Sequence, residues 1–106
     1  MALTEIQSES ELTIAIKTGV TLLDFNASWC SPCRLQKPIL ENIAERFKDK
    51  ASVATINIDR YQNLAIEKGI QSIPTLLIYK NNTEILRFVG LQDESTLFNA
   101  LYKIID

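Results

Sequence analysis

Hydrophobic and polar positions along this chain repeat alternately with strand and helix periods, and their succession predicts an α/β fold. A short stretch at Ala2–Ile6 is expected to form a first strand, β1. Ser8-Glu9-Ser10-Glu11 then reads as a capping box, with Ser8 as N-cap and Glu11 three residues on. The helix it opens, α1, turns Leu12, Ala15 and Ile16 inward and stops at Gly19, a usual residue just past a helix end. Val20–Asn26 is apolar on both parities, as expected for a central strand, β2, covered on both faces. Asp24 interrupts that run on the parity of Val20 and Leu22, which carries a carboxylate toward the interior.

The pattern changes to a helical period at Cys30, and α2 is expected to run from there to about Lys48. Leu35, Ile39, Ile43 and Phe47 form its apolar stripe, widened by Leu40 and Ala44, while Arg34, Lys37, Glu41, Glu45 and Lys48 face water. Pro32 suits the first turn, where its missing N–H is no loss. Pro38 lies inside the helix and predicts a kink. Val53–Asp59 reads as β3, parallel to β2 through a right-handed crossover, and Gln62–Lys68 as a short α3 closed by Gly69. Thr75–Lys80 and Glu84–Val89 read as a hairpin, β4 and β5, around Asn81-Asn82, residues that tolerate positive φ. Glu84 and Arg87 on β5 guard an edge against pairing with another chain. A last helix, α4, from about Asp93 to Ile105, is expected to bury Leu97, Ala100, Leu101 and Ile104. No repeat, linker or low-complexity segment divides the chain, so one domain over residues 1–106 is expected.

Composition narrows the function classes. At 106 residues and 46% hydrophobic content, a core forms without a disulfide scaffold. A net charge of −2 with both signs spread along the chain gives no basis for binding nucleic acid or a membrane surface. Met1-Ala2-Leu3-Thr4-Glu5 is not the start of a signal peptide, and no apolar run approaches the ~20 residues of a membrane span, so a cytoplasmic protein is expected.

The candidate chemistry lies in Trp29-Cys30-Ser31-Pro32-Cys33, which holds both cysteines of the chain where β2 gives way to α2. A zinc site needs four ligands, and with two cysteines and no histidine, carboxylates or a second chain would have to complete it. A structural staple over so small a loop restrains the unfolded chain little. A redox pair is the reading that accounts for the placement. Cys30, at the helix N-terminus, meets unpaired backbone N–H groups and the helix dipole, which favour a thiolate facing solvent. Cys33, one turn further in, points inward and keeps its proton more firmly. Cβ atoms three residues apart on a helix are ~5–6 Å apart against the ~3.8 Å of a disulfide, so the pair closes with a small adjustment. Cys30 is therefore expected to attack and Cys33 to resolve. Asp24, six residues before Cys30, is expected beneath the pair, where burial raises its pKa toward that of a general base exchanging protons with Cys33, through a water.

These residues, with Leu23-Asp24-Phe25, Ala27, Pro38-Ile39-Leu40, Asn57-Ile58-Asp59, Gly69-Ile70, Ile73-Pro74-Thr75 and Val89-Gly90, make the chain resemble the thioredoxin family from end to end. The resemblance implies a five-stranded mixed sheet ordered β1-β3-β2-β4-β5, with β4 and β5 antiparallel and four flanking helices. It implies a cis bond between Ile73 and Pro74, with the proline beside the cysteines and the backbone of Ile73 pairing with a bound substrate strand. Trp29, Ser31, Pro32, Ile58, Pro74, Gly90 and Leu91 would complete the substrate-binding rim. The implied activity is reduction of disulfides in protein substrates, with a reversible Cys30–Cys33 disulfide, no bound cofactor or metal, and regeneration of the monomeric protein by a flavin-containing thioredoxin reductase.

Four positions depart from the family pattern. Ser31 replaces a common glycine between the cysteines, and Leu91 replaces a smaller residue at the rim. Asn26 stands where a second tryptophan is common, and is expected to hydrogen-bond Asp59. Thr55 stands in place of a lysine near the buried aspartate, so Asp24 is expected to be harder to ionise. Two alternatives share the fold: an oxidase or isomerase, distinguished by its reduction potential, and a binding subunit whose thiols are dispensable.

Overall fold

The strand that the pattern puts at the centre of the sheet is at the centre. In the computed structural model, which describes residues 3–105, the elements are β1 (Leu3–Glu5), α1 (Glu9–Lys17), β2 (Val20–Asn26), α2 (Ser31–Arg46), β3 (Ser52–Asn57), α3 (Gln62–Glu67), β4 (Thr75–Lys80), β5 (Thr83–Val89) and α4 (Glu94–Ile105). The five strands form one sheet in the order β1-β3-β2-β4-β5. β3 pairs in parallel with both β1 and β2, while β4 pairs antiparallel with β2 and β5. The Ile73–Pro74 peptide bond, just before β4, is cis.

Strand parity sorts the core into two clusters, one on each face. Val20 and Leu22 of β2, Val53 of β3, and Leu76 and Ile78 of β4 pack under Leu40, Ile43 and Ala44 of α2 and Leu97 and Leu101 of α4. Leu23 and Phe25, Ala54 and Ile56, and Leu77 and Tyr79 point the other way, against Leu12 and Ile16 of α1 and Leu64 of α3. A strand covered on both faces must be apolar on both parities, and β2 and β4 are. Asp24 has the parity of Leu22, and so lies on the face roofed by α2.

The local signals account for the boundaries. Ser8 caps α1, its hydroxyl accepting the Glu11 N–H at 3.1 Å. The reciprocal half of the capping box is displaced by one residue, since Glu11 Oε2 accepts from the Gln7 N–H. Gly19, at φ 74°, turns the chain into β2, and its N–H donates to Asn81 Oδ1 at 2.8 Å. Asn81 and Asn82 both take positive φ, as a tight turn between β4 and β5 requires. β3 ends at Asn57 rather than Asp59, because Ile58 and Asp59 turn away beyond the last pair with β2. α4 buries Leu97 and Leu101 fully, but Ala100 and Ile104 sit half-buried at its flank. Of the expected β1 residues, Ala2 lies outside the described residues.

α2 continues through Pro38 to Arg46, capped by Phe47. Its buried face differs from the expected stripe: Leu35 is 62% exposed, whereas Cys33, Gln36, Leu40, Ile43 and Ala44 are buried. A row spaced by four residues drifts roughly 40° per step around a helix of 3.6 residues per turn, which carries Leu35 off the face that Phe47 occupies. The face that meets the sheet starts at Cys33.

Candidate active site

The site is assembled where β2 delivers the chain to α2. Cys30 is the N-cap residue of α2, with extended backbone, and its Sγ accepts the backbone N–H of Cys33 at 3.2 Å. Cys30 and Cys33 are joined by a disulfide, their Cα atoms 5.3 Å apart. Both residues are almost covered, at 5% and 6% exposure, so Cys30 is not the open, solvent-facing group that its terminal position suggested. The cover comes from Ala27, Ile58 and Ile73, which pack around the pair. The Ile73 carbonyl oxygen lies 3.8 Å from Cys30 Sγ. The segment that carries the cis proline is thus brought directly against one sulfur.

Asp24 lies on the other side of the pair. It is 2% exposed and lines, together with Cys33, a cleft of about 200 Å³ whose walls include Glu5, Asn26, Arg34, Lys37 and Thr55. Register explains the polar floor: Glu5 faces Thr55, and Thr55 faces Asp24, so the three stand side by side on the face under the first turns of α2. Burial pushes the Asp24 carboxyl up from 3.8 to about 7, against the partial relief of one hydrogen bond from Asn26. That bond, Asn26 Nδ2 to Asp24 Oδ2 at 3.2 Å, replaces the expected one to Asp59. Asp59 instead accepts the Trp29 indole N–H at 2.9 Å, and its own N–H donates to Asn57 Oδ1. Residues 24 and 26 point to one side of a strand, whereas Asp59 lies past the end of β3. Asp24 Oδ1 has no hydrogen-bond partner.

The expected rim residues come together in part around Ile73. Trp29 (65% exposed), Ile58 and Ile73 line one shallow cleft with Ile70, Gln71 and Ser72. Pro74 is buried, and its carbonyl accepts the Gly90 N–H at 2.8 Å, which ties the end of β5 to the cis-proline segment. Leu91 follows Gly90 and is 44% exposed. Ser31 and Pro32 are exposed in the first turn of α2, where the Ser31 hydroxyl accepts from Arg34 at 3.1 Å.

Gln36 is part of this arrangement and was not expected from the sequence. It is fully buried, donates through Nε2 to the Gln92 carbonyl at 3.0 Å, and accepts the Gln92 N–H through Oε1 at 2.8 Å. Both ends of one side-chain amide thus hold the backbone just after Leu91 against α2. The signal was available, because Gln36 is three residues from Cys33 and four from Leu40, on the face they share. Among the described residues, no group of three histidines, cysteines or acids is placed to hold a metal ion.

A disulfide-bonded cysteine pair, one member capping a helix at the end of the central strand of this mixed sheet, defines a thiol–disulfide oxidoreductase, and the comparisons agree. The chain belongs to the thioredoxin family: the family model described as Thioredoxin matches residues 3–103. A thioredoxin from Chlamydia pneumoniae is 39% identical over 99 residues, which span 93% of this chain and 96% of that one. A thioredoxin from Staphylococcus epidermidis is 33% identical over 103 residues, 97% of this chain and 98% of its own length. Among solved structures, a mutant thioredoxin from Halobacterium salinarum superposes with a TM-score of 0.91 at 33% identity, covering 98% of this chain and 91% of that chain.

Proposed function

We propose that this protein reduces disulfides in other proteins with Cys30 as the attacking thiolate, Cys33 as the resolving thiol and Asp24 as the proton partner of Cys33. In the reduced form, the N–H groups of the first turn of α2, that of Cys33 among them, favour negative charge on Cys30 Sγ. The thiolate attacks one sulfur of the substrate disulfide, a mixed disulfide forms, and the other substrate sulfur leaves as a thiolate that takes up a proton. Cys33 then gives its proton to Asp24, through a water, and its sulfur attacks Cys30 Sγ. The Cys30–Cys33 disulfide closes, the second substrate sulfur departs as a thiolate that takes up a proton from water, and two electrons have passed to the substrate. With its pKa raised to about 7, Asp24 is suited to accept and return that proton near neutral pH.

The substrate strand docks along Ile73, whose backbone pairs with it, and rests on Trp29, Ile58, Pro74, Gly90 and Leu91, with Ser31 and Pro32 at the margin. A flavin-containing thioredoxin reductase returns the pair to the dithiol state, so no bound cofactor is called for. The protein acts as a monomer in the cytoplasm, the compartment in which reducing systems keep thiols free. No helix among the described residues is long and apolar enough to cross a membrane.

The observation that carries this reading is the asymmetric placement of the pair: one sulfur caps the helix beside Ile73, and the other residue lines the cleft shared with Asp24. A trapping experiment tests it. Reduced Cys33→Ser protein mixed with a disulfide-bonded peptide is expected to accumulate a mixed disulfide through Cys30, while Cys30→Ser protein accumulates none. Equal trapping by both variants would contradict the assignment.

A further inference from the structure

The cleft beneath the disulfide contains a feature that the dithiol chemistry alone does not use. Asp24 has one oxygen occupied and one vacant: Oδ2 accepts from the Asn26 side chain at 3.2 Å, and Oδ1, itself buried, has no partner. Asn26 is the last residue of β2, and two residues along a strand its side chain stands on the same side as that of Asp24. Its backbone is fixed independently, because its carbonyl accepts the Ile58 N–H at 2.9 Å. Asn26, Asp24 and Cys33 all line the same cleft.

We propose that Asn26 is a positioning residue for proton exchange at Asp24: its amide holds Oδ2 and leaves Oδ1 as the oxygen that receives and returns the Cys33 proton. The inference rests on the reading of Asp24 as the proton partner of Cys33. An amide N–H donates and does not accept, so it disfavours a carboxyl proton on the oxygen it faces relative to the oxygen without a partner. The same bond stabilises the ionised form and so opposes the effect of burial. The other charged groups on the cleft wall are Glu5 of β1 and Arg34 and Lys37 of α2, and Cys33 is the remaining group that titrates there. Thr55 and Leu76, the neighbours of Asp24 on β3 and β4, carry no charge. Among the described residues, Asn26 supplies the hydrogen bond that Asp24 receives.

The proton moves as in the exchange reaction. Cys33 S–H breaks, the proton goes to Oδ1, and the electron pair left on sulfur forms the bond to Cys30 as the bond from Cys30 to the substrate sulfur breaks and that sulfur leaves with its electron pair as a thiolate. When the pair is reduced again, Oδ1 gives the proton back to Cys33.

The test is Asn26→Leu, which keeps the branched shape and removes the donor, with Asn26→Ala as the second variant should the bulkier leucine not be accepted at the strand end. The Asp24 carboxyl carbon is titrated by NMR in the oxidised protein, and release of a peptide thiol from its mixed disulfide with Cys30 is timed across pH. Loss of the bond is expected to move the Asp24 midpoint up by about one pH unit and slow release at pH 6 by about tenfold, with little change at pH 9. In an Asp24→Asn background the same substitution is expected to leave the pH profile where it was. An unmoved midpoint, or equal slowing with and without the Asp24 carboxylate, would overturn the proposal and leave Asn26 a structural residue. If Asp24→Asn alone does not alter release, the proton-partner reading fails instead.

Discussion

The burial of Asp24 sets stability against the proton exchange proposed for it. A carboxyl raised from 3.8 to about 7 holds its proton in the folded state over a range where the unfolded chain has lost it. Between those values the folded state binds more protons, so stability falls as pH rises, and the whole cost is in place above about pH 7. That rise corresponds to about 4 kcal/mol as an upper bound. Asp24→Asn is therefore expected to be more stable than the parent protein in denaturant melts at pH 8, by about 1–4 kcal/mol, and nearly equal to it below pH 3.8. Equal stability of the two proteins at both pH values would mean that the carboxylate is not penalised by its surroundings. The burial of Asp24 was legible in the sequence because strand parity alone puts it with Leu22. Its hydrogen bond was not read correctly, although the same parity argument applies to Asn26. The family pattern drew attention to Asp59, which is held by Trp29 instead.

At the scale of elements, α2 both carries the cysteines and anchors the rim, and Gln36 connects the two tasks. Its amide holds the Gln92 backbone at both ends in a fully buried position. Gln36→Leu fits the space but leaves the Gln92 N–H and carbonyl without those partners, at a cost of about 1–3 kcal/mol. We expect a lower denaturation midpoint by that amount, and a KM for a protein disulfide that rises several-fold with kcat little changed, because Leu91 loses its support while the cysteines keep theirs. Unchanged stability and KM would show that the pairing is incidental. The helix itself was legible from Cys30 to Arg46, but its inner face was misread. Spacing from Leu35 follows a row that winds around the helix, while a buried glutamine looks polar in any hydrophobic pattern. Only the contact with Gln92, 56 residues away in the chain, explains why a polar side chain is satisfied there.

For the whole molecule, two apolar clusters on opposite faces hold the sheet between α1 and α3 on one side and α2 and α4 on the other. That layering was legible because β2 and β4 are apolar on both parities, and the strand order followed from the family resemblance rather than from periodicity. The resemblance put the cis-proline segment beside the cysteines, but not the near-complete cover of Cys30, to which Ile58 and Ile73 contribute from two other parts of the chain. The layering turns β2 into α2 with Cys30 at the helix start and Asp24 under its first turns, and the account depends on that junction making the two sulfurs unequal. Alkylation of the reduced protein by iodoacetamide as a function of pH, with each cysteine followed separately by mass spectrometry, tests this most directly. The account predicts that Cys30 reacts first, with a midpoint below the ~8.5 of a free cysteine, and that Cys33 remains protected. Modification of Cys33 first, or a Cys30 midpoint at or above that value, would contradict it.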